Sequence, residues 1–371
     1  MDADTVTHCL LLQVSAALTR LECYRLLTAF PSTFDCLAAD PRHWRKAGLA
    51  AASSAALERA RDGFNAAPGA PLRALRQRLA NLDVSAVTLC DSSYPALLRN
   101  IDCPPPLLDL RGSVELLQQP QLAVVGSRRA SPLGVRAARQ LAADVAAAGL
   151  SVTSGLALGI DAAGHRGALD AGGTTLAVMA TGIDRVYPAR HGDLAAAICD
   201  SGCLVSEFAP GTPPLRNHFP RRNRLISGLA LGALVVEAGL PSGSLITANT
   251  ALEQGREVFA LPWSVYHANG RGCLQLLRDG AALVQNAQDI TDILGHASGP
   301  ANEAVDAPAR LEAGLSSCAR QIVRRLEAAA IDPDSLAAVM NLPLPAVTAA
   351  LTELELAGCA QRCAGGYIRS T

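Results

Sequence analysis

Lysine is nearly absent. Lys46 is the single one in 371 residues, and arginine carries almost all the positive charge, a bias that genomic base composition explains as well as function does. Aromatic side chains make up 4% of the chain, too few for a broad ring-lined surface. The formal net charge is −1, which excludes a uniformly basic coat, so any site for a polyanion has to be a local patch. Long apolar runs are missing too. The longest, around Leu229 to Val236, stops at Glu237 and is too short to span a bilayer, so it reads as a buried strand and no membrane partner is expected. The eleven cysteines stand singly at uneven spacing apart from Cys199/Cys203 and Cys359/Cys363. They form neither a disulfide framework nor a zinc ligand set, since His191 and His296 lie in unrelated segments. The opening Met1-Asp2-Ala3-Asp4 has no basic leader region. A cytoplasmic chain with reduced thiols, no metal and no cofactor is expected.

Half of the residues are apolar, enough for a large core, and the length suits two or three domains at roughly 100–200 residues each. From residue 121 the pattern alternates: strands at 121–126, 151–153, 174–180, 203–205, 232–236, 256–260 and 282–284, with helices at 132–148, 161–171, 190–201, 244–254 and 271–279. Continuously apolar strands separated by helices predict a parallel sheet covered on both faces. Ligands of such sheets sit at the carboxyl ends of the strands, so the loops there carry the functional reading.

Flanking segments complete the layout. Residues 1–80 read as short helices broken at Pro31-Ser32 and Gly48, a small domain of SAM or helix-hairpin-helix type without the hairpin's Gly-x-Gly turn. That favours packing or dimerisation over phosphate contact. Val87–Cys90 and Leu107–Leu110, around the Pro104-Pro105-Pro106 cluster, predict an extra strand strapped to the core, whose domain runs over 81–295. Residues 296–312 have linker composition. Residues 313–371 read as three helices and a hairpin with its tip at Gly365-Gly366, a winged helix. Its third helix carries Glu353 and Glu355 with no arginine or lysine, which favours protein or weak backbone contact over base readout. The fold class expected is α/β, with an extended Rossmann-like parallel sheet core, an N-terminal helical domain and a C-terminal winged-helix domain.

Four strand-end loops stand out. Gly126-Ser127-Arg128 ends a strand and opens a helix, where free N–H groups and the helix dipole favour a phosphate, and Arg128 adds a planar donor fork. Gly155 and Gly159 allow close backbone approach, while Asp161 is placed to cap a helix and His165 follows one turn on. Phe219-Pro220-Arg221-Arg222-Asn223-Arg224 is the densest basic cluster, read as a loop that could track a nucleic-acid backbone. Ser242-Gly243-Ser244 makes a second anion-cradling turn at a helix N-terminus. Together they predict a phosphate-rich ligand.

These blocks resemble the DNA-processing protein A family (DprA, also called Smf). The match runs through Gly126-Ser127-Arg128, Ser154-Gly155 to Asp161 with His165, Gly182 to Tyr187-Pro188, Ser206-Glu207, Phe219 to Arg224, Glu237, Ser242 to Ala248 and Gly255 to Val258, and covers residues 94–286. The resemblance implies a non-catalytic protein that binds single-stranded DNA, protects incoming strands and loads RecA recombinase in natural transformation, as a homodimer. It implies that Arg128, Arg221, Arg222 and Arg224 grip phosphates and that Phe219 lies beside the strand. Trp263 departs from the family's usual glycine and either reshapes its loop or adds a stacking surface. Two other classes are weighed. A nucleotide phosphoribohydrolase-like enzyme needs a carboxylate where Thr247 stands. A winged-helix transcriptional regulator needs sequence-dependent duplex binding.

Overall fold

The protein is described by a computed structural model at residues 3–15, 17–66, 70–296, 315–326, 330–357, 359–363 and 365–369. The expected linker therefore lies almost wholly outside the described residues. The chain divides into two compact units, Met1–Gly299 and Pro300–Thr371.

The first unit is built on one sheet of nine strands among the described residues. In chain order these are β1 (Val84–Thr88), β2 (Leu107–Gly112), β3 (Gln121–Val125), β4 (Ser151–Ser154), β5 (Thr175–Val178), β6 (Cys203–Ser206), β7 (Gly232–Val235), β8 (Glu257–Ala260) and β9 (Ala282–Leu283). Their spatial order is β1-β2-β6-β5-β4-β3-β7-β8-β9. From β6 to β9 every pair is parallel, while β2 joins β6 and β1 joins β2 antiparallel. The expected extra strand is this hairpin-like strap on one edge.

Period-two alternation splits the core into two layers. Leu122 and Val124 of β3 face one cluster; Ala123 and Val125 face the other. The first layer is covered by α8 (Pro132–Ala147) and α9 (Ile160–Asp170). The second is covered by α11 (His218–Leu229) and α12 (Gly243–Glu253). The helices α1 (Ala3–Leu10), α2 (Arg20–Ala29), α3 (Thr33–Ala38), α4 (Pro41–Lys46), α5 (Ala51–Ala66) and α6 (Ala70–Asn81) precede the sheet. Their buried Leu26, Trp44 and Leu57 belong to the same cluster as Leu107, Val125 and Leu225 of the core. Helix α6 closes the stretch read as short helices, with Leu79 buried. The chain continues through α7 (Ala96–Arg99), α10 (Gly192–Ser201), α13 (Arg271–Arg278) and α14 (Ala287–Leu294).

The sheet order reverses beside β3. The chain runs outward through β4 and β5 on one side, then returns with β7 on the other. Val125 pairs with Val235, so the loops after β3 and β7 leave the sheet side by side. This is the switch point at which open α/β sheets form a crevice.

The second unit comprises α15 (Ser317–Arg325), α16 (Pro333–Met340), α17 (Leu344–Leu356) and the hairpin β10 (Ala360–Cys363) with β11 (Gly366–Arg369), around Ile322, Leu336, Leu351 and Leu354. It has the expected winged-helix pattern. Glu353 accepts hydrogen bonds from the Ser316 N–H and hydroxyl, both at 2.6 Å, and these hold its carboxyl below the usual range. An acid on the third helix thus caps the first. Among the described residues no single helix is long and apolar enough to cross a membrane.

Candidate nucleic-acid interface

A cleft of about 700 Å³ opens at the switch point, lined by the turn after β3, the loop after β7, the first turn of α12 and one side of α11. Gly126, Ser127, Arg128, Arg222, Asn223, Ser242, Gly243 and Ser244 all line it. Gly155, Gly159, Phe219, Arg221 and Arg224 do not, and each has an identifiable place.

The turn after β3 is fastened to β7. Ser127 donates its N–H to the Glu237 carbonyl at 2.7 Å, and its own carbonyl accepts from Ile160 at 3.2 Å. Ser131 caps α8, accepting from the Gly134 N–H at 3.0 Å. The buried Glu237 carboxylate then takes the Ser131 N–H at 3.0 and 3.2 Å and the Ser131 hydroxyl as well. The sequence predicts an external anion at this helix N-terminus. The helix end already holds an internal anion, which satisfies donors that would otherwise be orphaned. What the turn leaves open is the side chain of Arg128, which is exposed, with its guanidinium 4.9 Å from the Phe219 ring centre.

The basic stretch is not a loop. It forms α11, and the 100° step of a helix sends neighbouring arginines to opposite sides. Arg222 points under the cleft, 3% exposed, and donates to the Val178 carbonyl. Burial lowers its pKa to about 10, opposed by Asp161 and reinforced by Arg128. Arg221 and Arg224 turn the other way, onto the buried Glu207. Phe219 sits at the rim between Arg128 and Tyr187, whose ring centre is 5.8 Å away.

The two glycines after β4 act from beneath. A Cβ at Gly155 would overlap the Arg222 guanidinium, and one at Gly159 would overlap the Ser127 carbonyl; Gly159 also has φ +75°. Both let the β4–α9 segment close against the cleft floor. Gly159, not Asp161, is the cap residue of α9. Asp161 accepts from the N–H groups of Gly155 at 3.2 Å and Ala157 at 3.3 Å, and burial raises its pKa despite Arg222. His165 is buried on Thr175 at 2.6 Å, and burial pushes its pKa down to about 3, which favours the neutral ring.

Across the cleft, Ser242 caps α12 and accepts the Ser244 N–H at 3.2 Å. Gly243 and Ser244 of its first turn line the cleft beside buried Thr247, and bring the positive end of the helix dipole to it. Arg129, Pro241 and Asn269 also line it. Asn269 went unread although Asn269-Gly270-Arg271-Gly272 follows β8 on the same rim, a glycine-rich basic turn that was the signal available. Trp263 lies near the same rim, in the loop after β8. It is half-buried, donates to the Val236 carbonyl at 2.7 Å and stacks on His267 at 4.4 Å.

Sheet, switch-point cleft and appended unit together define a Rossmann-like α/β protein with a C-terminal winged helix. A model of DNA recombination-mediator protein A matches residues 85–295, and a model of the DprA winged helix domain matches 306–366. The chain belongs to this family, DprA or Smf. Protein Smf of Escherichia coli is 41% identical over 287 residues, 75% of this chain and 76% of that protein. The DNA processing protein DprA of Streptococcus pneumoniae is 43% identical over 203 residues, 55% of this chain and 72% of that one. The crystal structure of the Streptococcus pneumoniae protein superposes with a TM-score of 0.66 at 32% identity, covering 79% of this chain and 98% of its own. DNA processing protein A of Helicobacter pylori, studied for its single-stranded DNA binding mode, gives 0.53 at 27%, covering 58% and 97%.

Proposed function

We propose that the cleft holds the sugar–phosphate backbone of single-stranded DNA and does not turn it over. One observation carries this reading. A fixed, buried cation at Arg222, an open one at Arg128 and the N-terminal end of α12 all face one crevice, the arrangement a backbone-tracking phosphate site requires. Phe219 and Tyr187 at the rim supply a small apolar edge. Thr247 stands where a phosphoribohydrolase-like enzyme needs a carboxylate, and Oδ2 of Asp161 accepts from two backbone N–H groups. The family membership extends the proposal to a cytoplasmic recombination mediator that protects incoming strands and passes them to RecA recombinase as a homodimer.

A competition gel with single-stranded, duplex and shuffled oligonucleotides at stated salt tests the ligand. Preference for single strands with little sequence dependence is expected, and tight sequence-dependent duplex binding would point to a regulator instead. Arg128→Ala should weaken single-strand binding and make the salt slope shallower by about 0.7. Wild-type behaviour would remove Arg128 from the site. Base release from nucleoside monophosphates above background would overturn the non-catalytic reading.

A further inference from the structure

The side of α11 turned away from the cleft carries its own concentration of charge. A pocket of about 210 Å³ opens there between the N-terminal helices and the segment after β6. Its floor is Glu207, whose side chain is 1% exposed. Three guanidiniums converge on this carboxylate. Arg224 meets Oε2, Arg221 donates Nε to Oε1 at 3.1 Å, and Arg20 of α2 places Nη1 3.6 Å from Oε2. Three cations against one anion leave two positive charges uncompensated, and Glu207 is the single acid lining the pocket among the described residues.

The donor accounting agrees. Arg221 spends Nε on Glu207 and lies 4.9 Å from the Phe208 ring centre, so its terminal nitrogens are left over, on a side chain 41% exposed. Arg20 is held only loosely, at 31% exposure. Arg224 buries Nη1 without an acceptor among the described residues, an arrangement that local negative charge would relieve. The pocket has room for one tetrahedral anion and its hydration.

We propose that this pocket is a second anion site, which takes one phosphate group between Arg20 and Arg221 while Glu207 braces both guanidiniums from below. Paired planar forks suit phosphate better than a single ammonium would. The site is separate from the cleft, because it lies across α11 and draws Arg20 from the N-terminal helices. Its phosphate has two sources of the same chemistry, a phosphodiester of a bound strand or free inorganic phosphate.

The test uses the full chain with the cleft weakened by Arg128→Ala. Melting is followed as inorganic phosphate replaces chloride at constant ionic strength. A phosphate-dependent rise in Tm is expected in Arg128→Ala, lost on adding Arg20→Gln and largely kept with Arg20→Lys. No rise in Arg128→Ala, or a rise untouched by Arg20→Gln, overturns the proposal. Should Arg20→Gln fail to fold, Glu207→Gln decides. It removes the competing charge yet keeps an accepting oxygen, so half-saturation by phosphate should fall at least threefold; an unchanged or higher value overturns the site. Oligothymidylate titrations of the Arg20→Gln single variant separate the sources. A salt slope shallower by about 0.7 assigns the pocket to the strand, and an unchanged slope assigns it to free phosphate. Failure of the cleft reading would be seen separately, as wild-type strand binding by Arg128→Ala.

Discussion

Arg222→Met isolates the energetic cost of the charge held beneath the cleft. The guanidinium is 3% exposed, and burial draws its pKa from 12.5 to about 10. A base with a lowered folded-state pKa holds its proton less tightly in the folded chain than in the unfolded one. The penalty is therefore fully present below about pH 10 and fades only as pH rises toward 12.5. At 1.36 kcal/mol for each tenfold step it comes to roughly 3 kcal/mol. The attraction of Asp161 is already contained in that value, and the hydrogen bond to the Val178 carbonyl offsets the penalty further, since its loss leaves a buried acceptor unpaired at about 1–3 kcal/mol. Methionine keeps much of the stem's volume without the charge. The free variant should be about 1 kcal/mol more stable at pH 7, a Tm gain of roughly 2–4 °C. Its affinity for oligothymidylate should fall at least tenfold, about 1.4 kcal/mol, with a salt slope shallower by about 0.7. Urea unfolding of the free chain and fluorescence anisotropy with a labelled strand read the two effects separately. A variant that loses more than about 2 kcal/mol of stability yet binds strands as wild type would make Arg222 a strut of the core, and would refute the reasoning.

Asp109 is buried on β2, its pKa is raised to about 7 by burial and then by Asp184, and its Oδ2 has no partner among the described residues. The folded chain thus binds an extra proton between about pH 4 and 7, so stability falls as pH rises through that window and levels off above it. Asp109→Asn should flatten the profile and gain up to roughly 4 kcal/mol at pH 8; urea midpoints from pH 5 to 8 that keep the wild-type slope would count against it. Gly155→Ala drives a methyl into the Arg222 guanidinium. It should cost about 1–3 kcal/mol and about tenfold in strand affinity, and unchanged anisotropy titrations would uncouple the two residues. Glu237→Gln removes the internal anion at the N-terminus of α8. A loss of about 1–2 kcal/mol is expected, with the salt slope of strand binding unaltered; a changed slope would mean that Glu237 faces the strand.

The sheet was legible because buried parallel strands are unbroken apolar runs ending on glycine or serine, as at Val125-Gly126 and Val235 to Gly239. The turn at Ser242-Gly243-Ser244 was legible for the same reason. Helix α11 was not. Its inward stripe is His218, Arg222, Leu225, Ile226 and Leu229, a proper helical spacing in which two of the five positions are polar, so the apolar period is hidden. Pro220 added a false loop signal, although a proline in the first turn breaks no helical hydrogen bond. Read as a loop, the stretch offered three equivalent arginines. Wound as a helix, it assigns Arg222 to the cleft and Arg221 and Arg224 to Glu207. The destination of Glu237 was equally hidden, since Ser131 lies 106 residues away in sequence.

That division also explains how a chain of net charge −1 can present a site for a polyanion. The acids nearest the cleft are each committed elsewhere. Glu237 is fully buried on Ser131, and Asp161 accepts two backbone N–H groups and has a raised pKa. Glu237 does not line the crevice, and Asp161 lines it with burial disfavouring its charge, so Arg128, Arg129, Arg222 and the end of α12 dominate the field there. The balance of charge over the whole chain therefore says little about this rim. What matters is which carboxylates the fold has already satisfied.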